Sequence, residues 1–273
     1  MFVVVRHIAH QHHLQLASAE DQHPIRRLTP QAAVLLLVAA VAWLVTAGRA
    51  GTMVGMTGTM GLSLPAFVGM WGLMMAAMML PSVAPVASMY QRSVRSYRAL
   101  RLGGFTGGYL LAWVGAGIPA FLLTAFVARL VGDHPGWATA VAVVVFASCG
   151  VYQLTPLKTR CLKHCRSPLS LLLHYGAYRG RLRDVRAGAH HGAYCLGCCW
   201  SLMALFVVVG VMNLAAMVVL AAVVLAEKLW VRGEVLARVV GVAALALAVA
   251  VIWVPALAPG LHSTSQMMDM AGS

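Results

Sequence analysis

Six apolar stretches of this chain are each long enough to cross a membrane as a helix, and they constrain the fold more than any other feature. A spanning helix needs about 20 apolar residues to cross the ~30 Å of hydrocarbon in a bilayer. Only 10% of the residues are charged, whereas a soluble domain carries about a quarter. The sequence therefore predicts an all-α membrane protein, a bundle of about six transmembrane helices over residues 31–257. The helices are predicted near residues 31–48, 65–89, 103–131, 136–154, 197–226 and 236–257.

Basic residues are concentrated in two segments between these stretches. Residues 91–102 hold four Lys or Arg residues, and residues 155–196 hold eight. Cytoplasmic loops of membrane proteins collect Lys and Arg, so both segments are predicted to be cytoplasmic, with a His-rich tail over residues 1–30 and a second tail over residues 258–273. Both termini would then lie on the cytoplasmic side of a bacterial inner (plasma) membrane. The net charge of +13 is explained by basic cytoplasmic loops, which anionic lipids of the bilayer attract. The lipid bilayer is therefore the predicted partner, and no nucleic-acid partner is predicted.

Five of the six cysteines lie between residues 161 and 199. They form the motifs Cys161-Leu-Lys-His-Cys165 and Cys195-Leu-Gly-Cys198-Cys199. Close cysteines separated by a loop are how chains build thiolate metal sites. The cytosol keeps thiols reduced, so a disulfide framework is not expected in this long cytoplasmic loop. The sequence therefore predicts a metal site whose ligands are Cys161, Cys165, Cys195, Cys198 and Cys199, with His164 nearby.

Methionines add further soft sulfur atoms. Six of them lie in the second apolar stretch, of which four are predicted as ligands, and Met203 follows Cys199 by about one helical turn. A thioether is a soft ligand that suits Cu(I), although methionine is also an adaptable core filler. Beside the cysteines, these residues favour Cu(I) as the bound ion, with Zn(II) as the alternative. The four predicted methionine ligands are Met74, Met75, Met78 and Met79, and Met53, Met56 and Met60 offer further soft sulfurs. The histidines of the N-terminal tail are open to two interpretations, a loose ion-collecting cluster or a merely polar tail; they are His7, His10, His12 and His13.

These motifs resemble the bacterial family of predicted metal-binding integral membrane proteins, domain-of-unknown-function family 2182, which is sometimes labelled copper chaperone-like. The resemblance is carried by the segment from Met70-Trp71 to Met78-Met79-Leu80-Pro81, by Gly108-Tyr109 with Trp113, by Tyr152-Gln153 with Pro156-Leu157-Lys158, and by Cys161-Leu162 and Cys165-Arg166-Ser167-Pro168. It continues through Cys195-Leu-Gly-Cys198-Cys199-Trp200-Ser201-Leu202-Met203, Gly210-Val-Met212-Asn213 and Ala226-Glu227-Lys228. The resemblance implies a membrane location and metal binding.

Three hypotheses for function remain open. The first is copper handling by a chaperone or transporter-like protein, with a metal donor or acceptor protein as partner. The second is a membrane thiol-disulfide oxidoreductase that uses the two cysteine motifs, and the third is a structural zinc-thiolate site. The sequence contains no nucleotide-binding motif, and the first hypothesis predicts a protein that is not an enzyme. A homo-oligomer is also left open.

Overall fold

The structure is a computed structural model that describes residues 30–52, 56, 58–94, 96–167, 175–176 and 178–261. The predicted His-rich tail and residues 262–273 of the predicted C-terminal tail lie outside these residues. All regular structure in the described part of the chain is helical. The helices are α1 (Pro30–Thr52), α2 (Leu64–Ser93), α3 (Arg98–Asp133), α4 (Trp137–Leu154), α5 (Pro156–Arg166), α6 (Arg183–Ala204), α7 (Phe206–Val209), α8 (Leu214–Leu229) and α9 (Gly233–Trp253), followed by two 3₁₀ turns (Pro255–Leu257 and Pro259–Leu261).

Six of these segments are long and apolar enough to cross a membrane. They are α1, α2, α3, α4, α6 together with α7, and α9. The all-helical class and the six candidate spans agree with the sequence prediction. The predicted loop over residues 155–196 differs, because its start forms α5 and its end belongs to the first half of α6.

The fifth predicted helix, over residues 197–226, is corrected by the structure. The chain leaves α7 at Gly210, whose φ of 95° is a backbone conformation that favours glycine. Asn213 then caps α8, since its side-chain oxygen accepts a hydrogen bond from the backbone N–H of Ala216 at 3.0 Å. The chain therefore reverses here, and α8 runs back beside α6 instead of continuing it.

The reversal places the ends of the helices in two groups. One group, which we call the basic end, holds the connections α2–α3, α5–α6 and α8–α9. It is joined by the ion pair of Arg101 with Asp184 at 2.9 Å and by hydrogen bonds from Arg166 to the carbonyls of Trp230 and Val231. All three connections carry arginines, including Arg232, which precedes α9.

The opposite group, the distal end, holds the connections α1–α2 and α3–α4 and the two 3₁₀ turns. Gly58 lies against Ala128 near the end of α3, and Gly260 packs on the backbone of Gly210. One cavity is lined by residues from both connections and from the second 3₁₀ turn, among them Gly58, Pro135 and Leu261. Residues 258–261 therefore lie at the end opposite to the arginine-rich connections, which corrects their predicted placement in a tail on the same side as those loops.

The closest helix crossing joins α3 to α6. A Cβ atom at Gly188 would lie 1.8 Å from the carbonyl oxygen of Phe105, and one at Gly108 would lie 2.0 Å from that of Val185. Small residues allow such backbone contact within a membrane bundle. This crossing fixes α6, and with it the cysteine motif that α6 carries.

Candidate metal centre

Three cysteines of α6 meet at one point inside the bundle. Cys195, Cys198 and Cys199 are spaced by three and four residues, so they project from the same side of the helix. Their sulfur atoms all lie within 4.8 Å of one another, and those of Cys198 and Cys199 are 3.2 Å apart. All three side chains are fully buried. Among the described residues, this is the group of His, Cys, Asp or Glu side chains whose geometry is compatible with a metal ion.

The short helix α5 brings two further cysteines to this cluster. It begins at Pro156, and Thr155 caps it by accepting a hydrogen bond from the backbone N–H of Lys158. The sulfur of Cys165 lies 3.9 Å from that of Cys198. Cys161, one turn earlier on α5, is partly exposed and lies against Gly197 of α6. Burial raises the pKa of the Cys161 thiol, and the neighbouring Lys158 opposes this shift.

A buried lysine from α8 reaches the same cluster. The ammonium of Lys228 donates hydrogen bonds to the sulfur of Cys195 at 2.8 Å and to the hydroxyl of Ser82 at 3.1 Å. The hydroxyl of Tyr109 lies 3.1 Å from the same sulfur. The thiolate is the form of cysteine that binds metals, and the ammonium compensates the negative charge that it would bring into the interior.

A buried ion pair supports the cluster from the other side. The Lys158 ammonium lies 2.7 Å from the Glu227 carboxylate and donates to the carbonyl oxygen of Cys198 at 2.5 Å. Gln153 donates to the second oxygen of Glu227 at 3.0 Å. This network joins the backbone of α6, which carries the cysteines, to α4, α5 and α8. Since every charged atom in it has a partner, the pair is tolerated away from water.

The methionines predicted as ligands are buried in the interior of the protein. Their side chains are at most 4% exposed and belong to the same apolar core as the cysteines. These residues are Met74, Met75, Met78 and Met79 of α2 and Met203 of α6. The ring of His164 instead stacks on Tyr194 at 3.7 Å between ring centres, and it is not a member of the compact three-cysteine group. In the connection between α1 and α2, Met56 is exposed and Met60 is buried, while Met53 lies outside the described residues.

The polar residues around the cysteines were missed as parts of the site by sequence reasoning. In a single long helix over residues 197–226, Glu227 and Lys228 would lie at the end far from the cysteines, whereas the reversal of α8 returns them to the cysteines. The available signal was a pair of charged residues at the end of an apolar run, since ionisable side chains within a membrane helix are usually functional. For Lys158 and Tyr109 the available signal was their place in the segments that carry the family resemblance, which assigned them no role at the site.

The donor set of this centre is soft. Three thiol sulfurs form the compact group, and a fourth, from Cys165, lies 3.9 Å from one of them. Soft thiolate and thioether ligands select Cu(I) and Zn(II) over hard cations. A family model described as copper chaperone, PpoB2, matches residues 68–251, which is more than half of the chain.

This chain belongs to the PpoB2 copper chaperone family. The matched residues include both cysteine motifs, the methionines of α2 from Met70 onward, and the charged pair of α8. No curated protein and no solved structure matches the chain. The family and the buried cysteine cluster agree with the prediction of a metal-binding protein of the copper chaperone type.

Proposed function

We propose that this protein binds Cu(I) within a membrane bundle and passes the ion on, and that Cys195, Cys198 and Cys199 are its central ligands. The observation that carries this proposal is the group of three fully buried sulfurs within 4.8 Å of one another, beside the compensating ammonium of Lys228. Membership of a copper chaperone family supports the same ion. Binding and transfer of an ion, with no bond made or broken in a substrate, are the proposed activity.

The proposed location is a bacterial inner membrane, crossed several times, with the basic end in the cytoplasm. The asymmetry of Lys and Arg supports this orientation. It is stronger than the sequence indicated, because the reversal of α8 brings Arg232 and Arg238 to the basic end. The buried methionines of α2 and Met203 are proposed as weaker thioether ligands along the route of the ion.

The decisive measurement is the metal content of the full chain, purified in detergent after expression with copper and zinc both available. We expect about one copper ion per chain. A double variant, Cys198→Ser with Cys199→Ser, should lose the ion. Cys149→Ser is the matched control, because Cys149 is buried on α4 and lies outside the sulfur cluster. Zinc in place of copper would favour a purely structural site.

A second candidate function is thiol redox chemistry, favoured by the 3.2 Å between the sulfurs of Cys198 and Cys199. Thiols that face a reducing compartment are more often metal ligands than disulfides. Counting free thiols in the purified protein, with and without a reductant, distinguishes the two functions. A metal-free protein with two thiols that oxidise and reduce reversibly would replace the copper proposal.

A further inference from the structure

The sulfurs of the site form a graded series from the surface to the interior. Cys161 is partly exposed, the Cys165 residue retains 6% exposure, and Cys198 is fully buried. Cys161 and Cys165 are four residues apart and therefore share one face of α5. Since the Cys165 sulfur lies 3.9 Å from that of Cys198, the series connects the outside of α5 to the buried cluster.

A glycine of α6 leaves room for the outermost thiol, that of Cys161. Gly197 lies between Cys195 and Cys198 on α6, and a Cβ atom there would lie 3.1 Å from the Cys161 sulfur. This is a tight contact for a real Cβ, so a side chain at residue 197 would require the Cys161 sulfur to shift by a few tenths of an ångström. The glycine thus allows Cys161 to rest on the helix that carries the central ligands.

The surroundings of Cys161 suit an anionic carrier of copper. Arg160 and Lys163 flank it on α5, and both side chains are exposed. A Cu(I) ion held by two thiolates carries a net negative charge, and such a complex is steered toward a positively charged surface. Lys163 has Glu234 within 3.9 Å, but both side chains of that pair remain solvent-accessible.

We infer that Cys161 is the thiol that exchanges Cu(I) with a thiol-bearing carrier at the basic end, and that Cys165 passes the ion between Cys161 and the buried cluster. This inference rests on the proposed function and assigns separate roles to cysteines that the sequence grouped as equivalent ligands.

Each step of this relay is a ligand exchange without oxidation or reduction. As the Cys161 sulfur forms a bond to Cu(I), the bond to one carrier thiolate breaks, and the Cys161 proton passes to that departing thiolate. Cys165 then displaces the second carrier thiolate in the same way, and the Cys165 proton passes to that thiolate, so Cys161 and Cys165 hold the ion. Cys198 next replaces Cys161 on the ion and gives its proton to Cys161, and the copper remains Cu(I) throughout.

The test compares the amount of bound copper with its rate of exchange. The full chain is loaded with Cu(I) in detergent without oxygen, and the chelator bathocuproine disulfonate is added in excess while its copper complex is followed by absorbance. We expect Cys161→Ser to bind as much copper as the unaltered chain but to release it about tenfold more slowly, a barrier increase of about 1.4 kcal/mol. Cys149→Ser is the control and should leave both quantities unchanged.

A second variant tests the same idea without removing a thiol. Gly197→Ala displaces the Cys161 sulfur and should also slow release, whereas Gly115→Ala, which meets no neighbouring atom within 4 Å, should not. Unchanged release from Cys161→Ser and Gly197→Ala would overturn the relay and leave copper binding intact. Copper lost from Cys161→Ser as completely as from Cys198→Ser would make Cys161 a static ligand. An unaltered chain that binds no copper would overturn the proposed function itself.

Discussion

At the scale of single residues, the cysteines of the candidate site were predictable from the sequence as proposed ligands, but the charged side chain beside them was not. Closely spaced cysteines predict a metal site from the sequence alone, whereas the role of Lys228 follows only from its 2.8 Å contact with the sulfur of Cys195 in the fold. We expect Lys228→Met to weaken Cu(I) binding by about 10- to 100-fold, the usual cost of losing a partner of a metal ligand. Competition with bathocuproine disulfonate measures this change.

The matched control for Lys228 is Lys163→Met. Lys163 is exposed and lies 3.9 Å from Glu234 at the surface, so copper affinity should not change. Equal affinities of the unaltered chain and Lys228→Met would show that the ammonium contributes nothing to the bound state.

The buried ion pair also gives a prediction at the residue scale. Glu227→Gln leaves the ammonium of Lys158 buried without its counter-charge, and the loss of one partner of a buried pair costs about 3–5 kcal/mol of unfolding free energy. Replacing both residues, with Lys158→Met added, should restore most of that loss, because no charge is then buried. Thermal unfolding of the purified variants in detergent ranks them. A double variant no more stable than Glu227→Gln would contradict this account.

At the scale of helices, the sequence predicted where apolar segments lie but not where one of them reverses. Residues 197–226 are interrupted only by small or amide side chains around Gly210 and Asn213, so no charged or extended polar segment marks the turn. The glycines of α3 are a second case, because small residues in a membrane helix are typical of close packing. Only some of them pack closely, since Gly108 meets α6 closely while Gly103 and Gly107 face open space. Their partner Gly188 lies before the predicted start of the fifth helix, which hid the crossing from sequence reasoning.

The α3–α6 crossing should therefore depend on Gly188 far more than on other glycines. Gly188→Ala forces a methyl group against the Phe105 carbonyl, and overpacking of this kind costs about 1–3 kcal/mol or more. Gly103→Ala, which meets nothing within 4 Å, should leave stability the same or slightly higher, because alanine favours helices. Thermal unfolding in detergent compares the two. If both variants had the same melting temperature, α3 and α6 could move apart to accommodate the methyl group without loss of stability, which would contradict this prediction.

At the scale of the whole molecule, the reversal of the chain at Gly210 exchanges the sides of the membrane on which Val231 and Leu261 are expected. Val231, which is exposed at the basic end, should lie in the cytoplasm, and Leu261, at the distal end, should lie outside. Alkaline phosphatase requires disulfides and folds only in an oxidising compartment. We therefore expect a fusion after Leu261 to be active and a fusion after Val231 to be inactive, with the opposite result for fluorescence of a green fluorescent protein at the same sites. A continuous fifth helix would reverse both outcomes, with phosphatase active after Val231 and silent after Leu261. The two fusions thus report on the turn at Gly210 itself, and only that turn allows α8 to return Lys228 and Glu227 to the cysteines.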